Sequence, residues 1–121
     1  MSTTTSNAAP TITIDQLTRE LANGTIAELW NALTDDYFTG EMIPGSRRVP
    51  VDRVGREITA NALPKNSAIV VYCSGPSCPN SRQAGDKLVA FGFTNVRVFE
   101  GGLEAWKAAG RGIEQLASAA A

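Results

Sequence analysis

The sequence predicts an α/β domain in which an open, mostly parallel β-sheet is flanked by helices on both faces. Residues 68–72, AIVVY, form an unbroken apolar and β-branched run, which is typical of a central strand buried on both sides. A helical pattern follows this run after one loop, and a second strand-and-helix pair comes next. At 121 residues the chain is long enough for one domain with a core and too short for two ordinary ones.

The first half of the chain opens with residues 1–10, a polar stretch for which we predict a disordered tail. Residues 11–121 are predicted to form the single domain. After a short strand, Ile14, Leu17 and Leu21 follow one another at helical spacing, Thr13 is a suitable N-cap, and Asn23-Gly24 ends the helix. Further along, TIAEL and RRVPV are predicted strands, residues 34–46 a connection, and VDRVGREITANAL a helix that stops before Pro64.

In the second half, the loop CSGPSCPNS leads from the central strand into the helix SRQAGDKLVAFG. Ala84, Leu88 and Phe91 share one face of this predicted helix, and Gly92 supplies its stop. The next strand is predicted from the apolar residues Val96, Val98 and Phe99, and the closing helix covers Leu103 to Ala109.

Composition excludes several classes of function. Eleven basic and twelve acidic residues without a long run of either sign give no footprint for nucleic acid or an anionic membrane. No apolar run approaches the roughly 20 residues that span a bilayer, and the polar amino terminus is unlike a secretory signal, so we expect a cytoplasmic protein. Two cysteines without any histidine make neither a disulfide scaffold nor a four-ligand zinc site in one chain. We therefore expect no metal and no organic cofactor.

Cys73 is the candidate nucleophile, because it ends a predicted parallel strand, the edge of the sheet where ligands usually bind. Ser74, Gly75 and Ser77 follow it and are expected to turn backbone N–H groups inward as an anion nest that lowers the thiol pKa. Arg82 falls in the first turn of the next helix, where the helix dipole disfavours a cation. That arginine either serves an anion or simply faces solvent. For Cys73 we favour covalent catalysis over an inert buried thiol.

Cys78 lies five residues beyond Cys73, near the predicted helix start. It is a candidate resolving thiol that attacks an oxidised or persulfidated Cys73 to close a disulfide. The alternative is a thiol packed under the loop, and sequence spacing does not decide between the two.

These residues resemble the rhodanese-like sulfurtransferases over roughly residues 11–110. VVYCSGPSCPNSRQAGDKL is similar to the family's strand, active-site cysteine, loop and helix, while NVRVFEGGLEAW is similar to its strand, Gly-Gly turn and tryptophan. Nearer the amino terminus, DDYFTGEMIPGSRRVP resembles a further family motif. The resemblance implies a sulfurtransferase that carries sulfur as a Cys73 persulfide, taken from a small donor or a protein persulfide and given to a thiol or cyanide-like acceptor. It implies that the loop Ser74, Gly75, Pro76, Ser77 and Cys78 is the cradle of that sulfur, and that Gly101, Gly102 and Trp106 are structural.

The chain also departs from the family pattern. Met42 stands where many members have histidine, Glu28 and Trp30 where aspartate and arginine are usual, and the loop is about two residues longer and lacks an arginine. A dianionic donor such as thiosulfate therefore finds fewer cations, whereas a wider loop favours a bulkier or protein-borne persulfide. Arg47 and Arg48 are candidate replacements, of which at most one is expected to face the site because strand neighbours point to opposite faces.

Three other functions were compared with sulfur transfer. A catalytically weak rhodanese-like binding or regulatory module is favoured by the missing cations, and a thiol-disulfide redox sensor is favoured by the Cys73–Cys78 pair. Phosphate ester hydrolysis on the related long-loop phosphatase pattern requires an arginine six positions after the cysteine. This chain has Pro79 there, which supplies neither a charge nor an N–H group.

Overall fold

The computed structural model describes residues 8–115, which form four α-helices and six strands. The helices are α1 (Ile14–Asn23), α2 (Val54–Asn61), α3 (Asn80–Ala90) and α4 (Gly102–Ala108). The strands are β1 (Glu28–Asn31), β2 (Glu41–Met42), β3 (Arg47–Arg48), β4 (Ile69–Tyr72), β5 (Val96–Phe99) and β6 (Glu114–Gln115), and a 3-10 turn, Val51–Arg53, precedes α2.

The main sheet has the strand order β3-β1-β4-β5, and all three neighbouring pairs are parallel. Strand β4, predicted to be central, lies between β1 and β5 and is buried along its whole length. The carboxyl ends of β1, β4 and β5 meet at one edge, where Asn31 pairs with Tyr72 and Tyr72 with Phe99. Cys73 leaves the sheet from this edge.

Two apolar layers cover the two faces of the sheet. On one face, Val71 and Val98 pack with Val54 of α2 and Leu88 of α3. On the other face, Val70 and Phe99 pack with Leu17 of α1 and with Leu103 and Trp106 of α4. Burial of these side chains stabilises the fold by about 1.5–3 kcal/mol for each large apolar group. The predicted α/β architecture with helices on both faces is confirmed.

Helix α1 begins and ends as the sequence predicts. The Thr13 hydroxyl accepts from the Gln16 N–H at 3.1 Å, and the Gln16 side chain accepts in return from the Thr13 N–H, forming a capping box. Gly24 closes the helix in the left-handed conformation, with φ of 73°. Thr25 still bonds to Glu20 of the helix, so strand β1 starts at Glu28 and not at the predicted Thr25.

The predicted loose tail is wrong for residues 8–10, while residues 1–7 lie outside the described part of the chain. Ala9 is buried, and the Pro10 carbonyl accepts from the Val98 N–H at 2.8 Å. Ile12 donates to the Val98 carbonyl at 3.0 Å, so this segment runs parallel to β5 and extends the sheet through a single bridge at Thr11.

Two other differences arise from tertiary contacts. Strand β2, inside the predicted connection, pairs antiparallel with β6, a partner more than 70 residues away that no local pattern reveals. Phe91 was predicted to share the apolar face of α3 with Ala84 and Leu88. The helix ends at Ala90, so Phe91 lies beyond it and is 48% exposed. None of the helices within residues 8–115 has the length and apolar character needed to cross a bilayer.

Candidate active site

The candidate site lies at the carboxyl edge of the sheet, where the loop of residues 74–79 joins β4 to α3. The loop contains a turn, in which the Cys78 N–H donates to the Gly75 carbonyl at 3.0 Å. The first turn of helix α4 donates hydrogen bonds to the residues where the loop begins. Leu103 donates to the Cys73 carbonyl at 3.0 Å, and Glu104 donates to the Ser74 carbonyl at 2.8 Å. The backbone around Cys73 is therefore fixed by α4, a helix that is distant from it in the sequence.

The Cys73 sulfur faces the first turn of α3. The Ser81 N–H donates to Sγ at 3.3 Å, and the thiol is within 3.4 Å of both the Ser81 hydroxyl and the Cys78 carbonyl oxygen. No side chain caps α3, so an N–H group of its first turn is free to meet this sulfur. Cys73 is only 1% exposed, since the loop closes over it.

The expectation that main-chain dipoles lower the pKa of Cys73 is not met. Burial raises the pKa of this thiol, the Cys78 thiol raises it further, and the Ser81 N–H and hydroxyl only partly oppose the increase. The nest predicted from Ser74, Gly75 and Ser77 does not form around Cys73, whose hydrogen-bond partners in residues 8–115 come from Cys78 and Ser81. Burial outweighs the dipoles because a single N–H reaches the sulfur.

The loop instead stabilises negative charge on Cys78. Burial alone would raise the pKa of this thiol. The hydrogen bond from the Cys73 thiol, together with the N–H groups of Asn80 and Ser74 and the Ser74 hydroxyl, lowers the pKa below its ordinary value. Cys78 is half-buried, whereas Cys73 is covered. The pKa values of the two neighbouring thiols are therefore shifted in opposite directions, upward for Cys73 and downward for Cys78.

A surface cavity of about 380 Å³ opens in front of Cys78. Cys73 lies below this cavity and is not part of its wall. Among residues 8–115, no charged side chain lines the cavity, whose wall consists of Leu33, Tyr37, Ser74, Ser77, Cys78, Pro79 and Asn80. Pro76, which we expected in the cradle, is exposed outside this wall.

The arginines expected to serve an anion are engaged elsewhere. Arg82 donates to the Ala9 carbonyl and forms ion pairs with Asp86 and Glu100, so it holds the amino-terminal segment to α3 and is not aimed into the loop. The hypothesis that Arg82 binds the donor's charge is therefore not supported.

Arg47 and Arg48 are likewise committed to partners in the fold. Arg47 forms ion pairs with Glu28 and Glu57. Arg48 forms one with Asp35 and donates to the carbonyls at the end of β1. Neither arginine replaces the cations that the loop lacks.

Besides Leu33, Tyr37 and Asn80 of the cavity wall, three residues that contact Cys73 or its loop were not singled out for the site from the sequence. Ser81 contacts the nucleophile, and its position in the first helical turn after the loop is the signal that could have revealed it. Glu104 packs its side chain against Gly75, and Gly102 approaches the Cys73 carbonyl closely. Both reach the loop through the tertiary fold, for which the sequence carries no local signal. No cluster of three or more His, Cys, Asp or Glu side chains suited to a metal occurs between residues 8 and 115.

Comparisons with known proteins agree with this architecture. The family model for the rhodanese-like domain matches residues 13–109. The rhodanese-like domain of the Alr3790 protein from Anabaena sp. is 26% identical, with a TM-score of 0.75 over 90% of this chain and 81% of that one. No curated protein matches the chain.

Two further solved structures share the fold. The BH2092 protein from Bacillus halodurans is 24% identical, with a TM-score of 0.76 over 88% of this chain and 77% of that one. The human single-domain sulfurtransferase TSTD1 is 20% identical, with a TM-score of 0.66 over 83% of this chain and 96% of that one.

Proposed function

This chain belongs to the rhodanese-like domain family, and we infer that it is a sulfurtransferase that carries a sulfane sulfur as a Cys73 persulfide. The observation that carries this inference is the position of the Cys73 sulfur. It lies at the carboxyl end of a central parallel strand, with the Ser81 N–H at 3.3 Å and a second thiol beside it. Burial of Cys73 then shields the bound sulfur from reaction with solvent thiols.

The reaction has two displacement steps. The Cys73 thiolate attacks the outer sulfur of a donor R–S–SH, the donor's S–S bond breaks, and R–S⁻ leaves with the bonding electrons. An acceptor thiolate or cyanide then attacks the outer sulfur of the persulfide, and the Cys73 thiolate leaves. Loading requires the loop over Cys73 to open, because the thiol is covered in the closed conformation.

The proton of Cys73 has a nearby acceptor although the chain contains no histidine. Cys78 contacts the Cys73 thiol and its own pKa is lowered, so the Cys78 thiolate takes the proton as Cys73 attacks. Because the pKa of Cys78 lies below that of Cys73, this transfer is uphill by itself and is completed only as the Cys73 sulfur bonds to the donor. The paired thiols perform the role that an imidazole has in many other cysteine enzymes.

The charge around the loop favours a persulfide donor over thiosulfate. Within the described part of the chain, no charged side chain lines the cavity, Arg82 is ion-paired elsewhere, and the Glu104 side chain packs against Gly75. A dianion therefore lacks the charge-assisted hydrogen bonds that contribute about 1.5–3 kcal/mol each. A persulfide on a small thiol or a protein carries less charge, so it needs fewer cations in order to bind in the uncharged cavity.

We expect kcat/KM for thiosulfate to be roughly 100-fold below that for a low-molecular-weight persulfide, the equivalent of one or two missing charge-assisted bonds. Sulfur transfer to cyanide measures both values. Glu104→Gln is expected to lower the ratio of the two kcat/KM values a few-fold. Asp52 lies outside the cavity in front of Cys78, so Asp52→Asn should leave this ratio unchanged. Equal use of the two donors by the unsubstituted chain would contradict this donor preference.

Persulfide loading is tested by intact mass after incubation with a persulfide donor. Cys78→Ser retains Cys73 as its only thiol, and we expect it to gain one sulfur, more slowly than the parent because the proton acceptor is lost. Cys73→Ser, which keeps the half-buried Cys78 thiol, is expected to gain sulfur far more slowly than the parent. If Cys73→Ser took up sulfur as readily as the parent, Cys73 would not be the carrier.

A further inference from the structure

Cys78 is placed for a second reaction that begins where sulfur loading ends. The Cys78 carbonyl oxygen accepts from the Cys73 thiol at 3.4 Å, and each of the two thiols shifts the pKa of the other. The turn that bonds the Cys78 N–H to the Gly75 carbonyl holds the two residues together. Sγ of Cys73 is the atom that becomes the inner sulfur when a persulfide forms. The residue that carries the second thiol therefore contacts, through its carbonyl oxygen, the sulfur whose attack gives a disulfide.

We propose that Cys78 resolves the Cys73 persulfide, releasing sulfide and leaving a Cys73–Cys78 disulfide in the loop. This inference rests on the proposed function, since it needs a persulfide on Cys73. It adds an activity to sulfur transfer. In the presence of an acceptor the outer sulfur is handed on, and in its absence the chain reduces that sulfur to sulfide.

The step is balanced in atoms and electrons. The Cys78 thiolate attacks Sγ of Cys73–S–SH, a bond forms between the two cysteine sulfurs, and the bond from Sγ to the outer sulfur breaks. The outer sulfur leaves as HS⁻ with the electron pair and its proton. The sulfane sulfur is thereby reduced and the two cysteines are oxidised. Two equivalents of a thiol reductant, or one dithiol, restore the free cysteines and become a disulfide themselves.

The surroundings of Cys78 support this role. Its sulfur interacts with the N–H groups of Asn80 and Ser74, which stabilise the attacking thiolate. Its half-exposed position on the wall of the 380 Å³ cavity gives the departing HS⁻ a path to solvent. The same position leaves the finished disulfide open to a thiol reductant once the loop moves. A thiol that only filled space would need neither the donors nor the opening.

The pH dependence of sulfide release has a defined direction. The titratable groups that face Cys78 are Cys73 beneath it and Tyr37 across the cavity, and Glu104 packs against Gly75 of the same loop. Attack requires the Cys78 thiolate, which the N–H groups of Asn80 and Ser74 and the Ser74 hydroxyl stabilise. The rate of sulfide release should therefore rise with pH as the Cys78 thiol ionises.

The test is a single turnover of the full reduced chain loaded with cysteine persulfide and freed of excess donor. For the parent we expect about one equivalent of sulfide, measured with a sulfide electrode, and a final mass two hydrogens below that of the reduced chain. Cys78→Ser should keep the added sulfur and release sulfide at least tenfold more slowly. Cys73→Ser should release none. A parent that keeps the added sulfur, or moves it to Cys78 without releasing sulfide, would overturn the proposal.

A second measurement separates this proposal from the proposed function. The reduced chain is equilibrated with mixtures of oxidised and reduced dithiothreitol, with no sulfur donor present. An internal Cys73–Cys78 disulfide is expected to form. Its failure to form overturns the resolving role even if loading succeeds. If the disulfide forms but no persulfide is ever loaded, the proposed sulfur transfer fails and the sulfide-releasing activity fails with it.

Discussion

Replacing Gly102 with alanine is expected to destabilise the protein by about 2–5 kcal/mol and to abolish sulfur loading. Gly102 begins α4 with φ of +58°, where a side chain costs about 1–2 kcal/mol. An added Cβ would also lie 2.4 Å from the Cys73 carbonyl oxygen and 2.8 Å from the Gly75 nitrogen. Both contacts are with backbone, which has no alternative rotamer, and such overpacking costs about 1–3 kcal/mol more.

The control for this substitution is Gly24→Ala. Gly24 also has a positive φ, of +73°, but nothing lies within 4 Å of an added Cβ. The Gly24→Ala variant should lose about 1–2 kcal/mol of unfolding free energy, the cost of the left-handed conformation alone, and should retain sulfur loading. Urea unfolding measures both free energies, and the loading assay is run on each variant. If Gly102→Ala were no less stable than Gly24→Ala, the close packing of α4 against the loop would be wrong.

Cys73→Ser is expected to lower the rate of sulfur transfer to cyanide by at least about 10³-fold, the scale of losses seen when a covalent nucleophile is removed. A serine hydroxyl forms no persulfide, so the first displacement has no attacking group. The fold should survive, since the hydroxyl still finds the Ser81 N–H and the Cys78 carbonyl around it. Thermal unfolding close to that of the parent is the control. Transfer at the parental rate would contradict the assignment.

Much of the fold follows from local pattern. The apolar run of β4, the helical spacing of Leu17 and Leu21, and the Thr13 and Gly24 caps each act within a few residues and were predicted correctly. Family membership, suggested by the motifs around Cys73 and after β5, is confirmed by the family model. What escaped prediction depends on distant partners, such as the pairing of β2 with β6.

The candidate site shows the same division. Its location at the end of β4 could be predicted, because strand order and sheet edge follow from the α/β pattern. The pKa shifts of the two thiols and the ion pairs of Arg82 could not be predicted. Whether an N–H group points at Cys73 or at Cys78 depends on how the loop turns, and the partners of Arg82 come from the amino-terminal segment and β5. The sequence predicted a lowered pKa for Cys73, whereas in the structure burial raises the pKa of Cys73 and the loop lowers that of Cys78.

The most direct test of the account locates the added sulfur in the parent chain. Protein quenched by alkylation within the first turnover is digested with trypsin, which leaves both cysteines in one peptide, residues 66–82. Fragmentation between the two cysteines then assigns the extra sulfur to one side of the loop. We predict that it is found on the fragment containing Cys73. An extra sulfur found on Cys78, with Cys73 unmodified, would contradict the account.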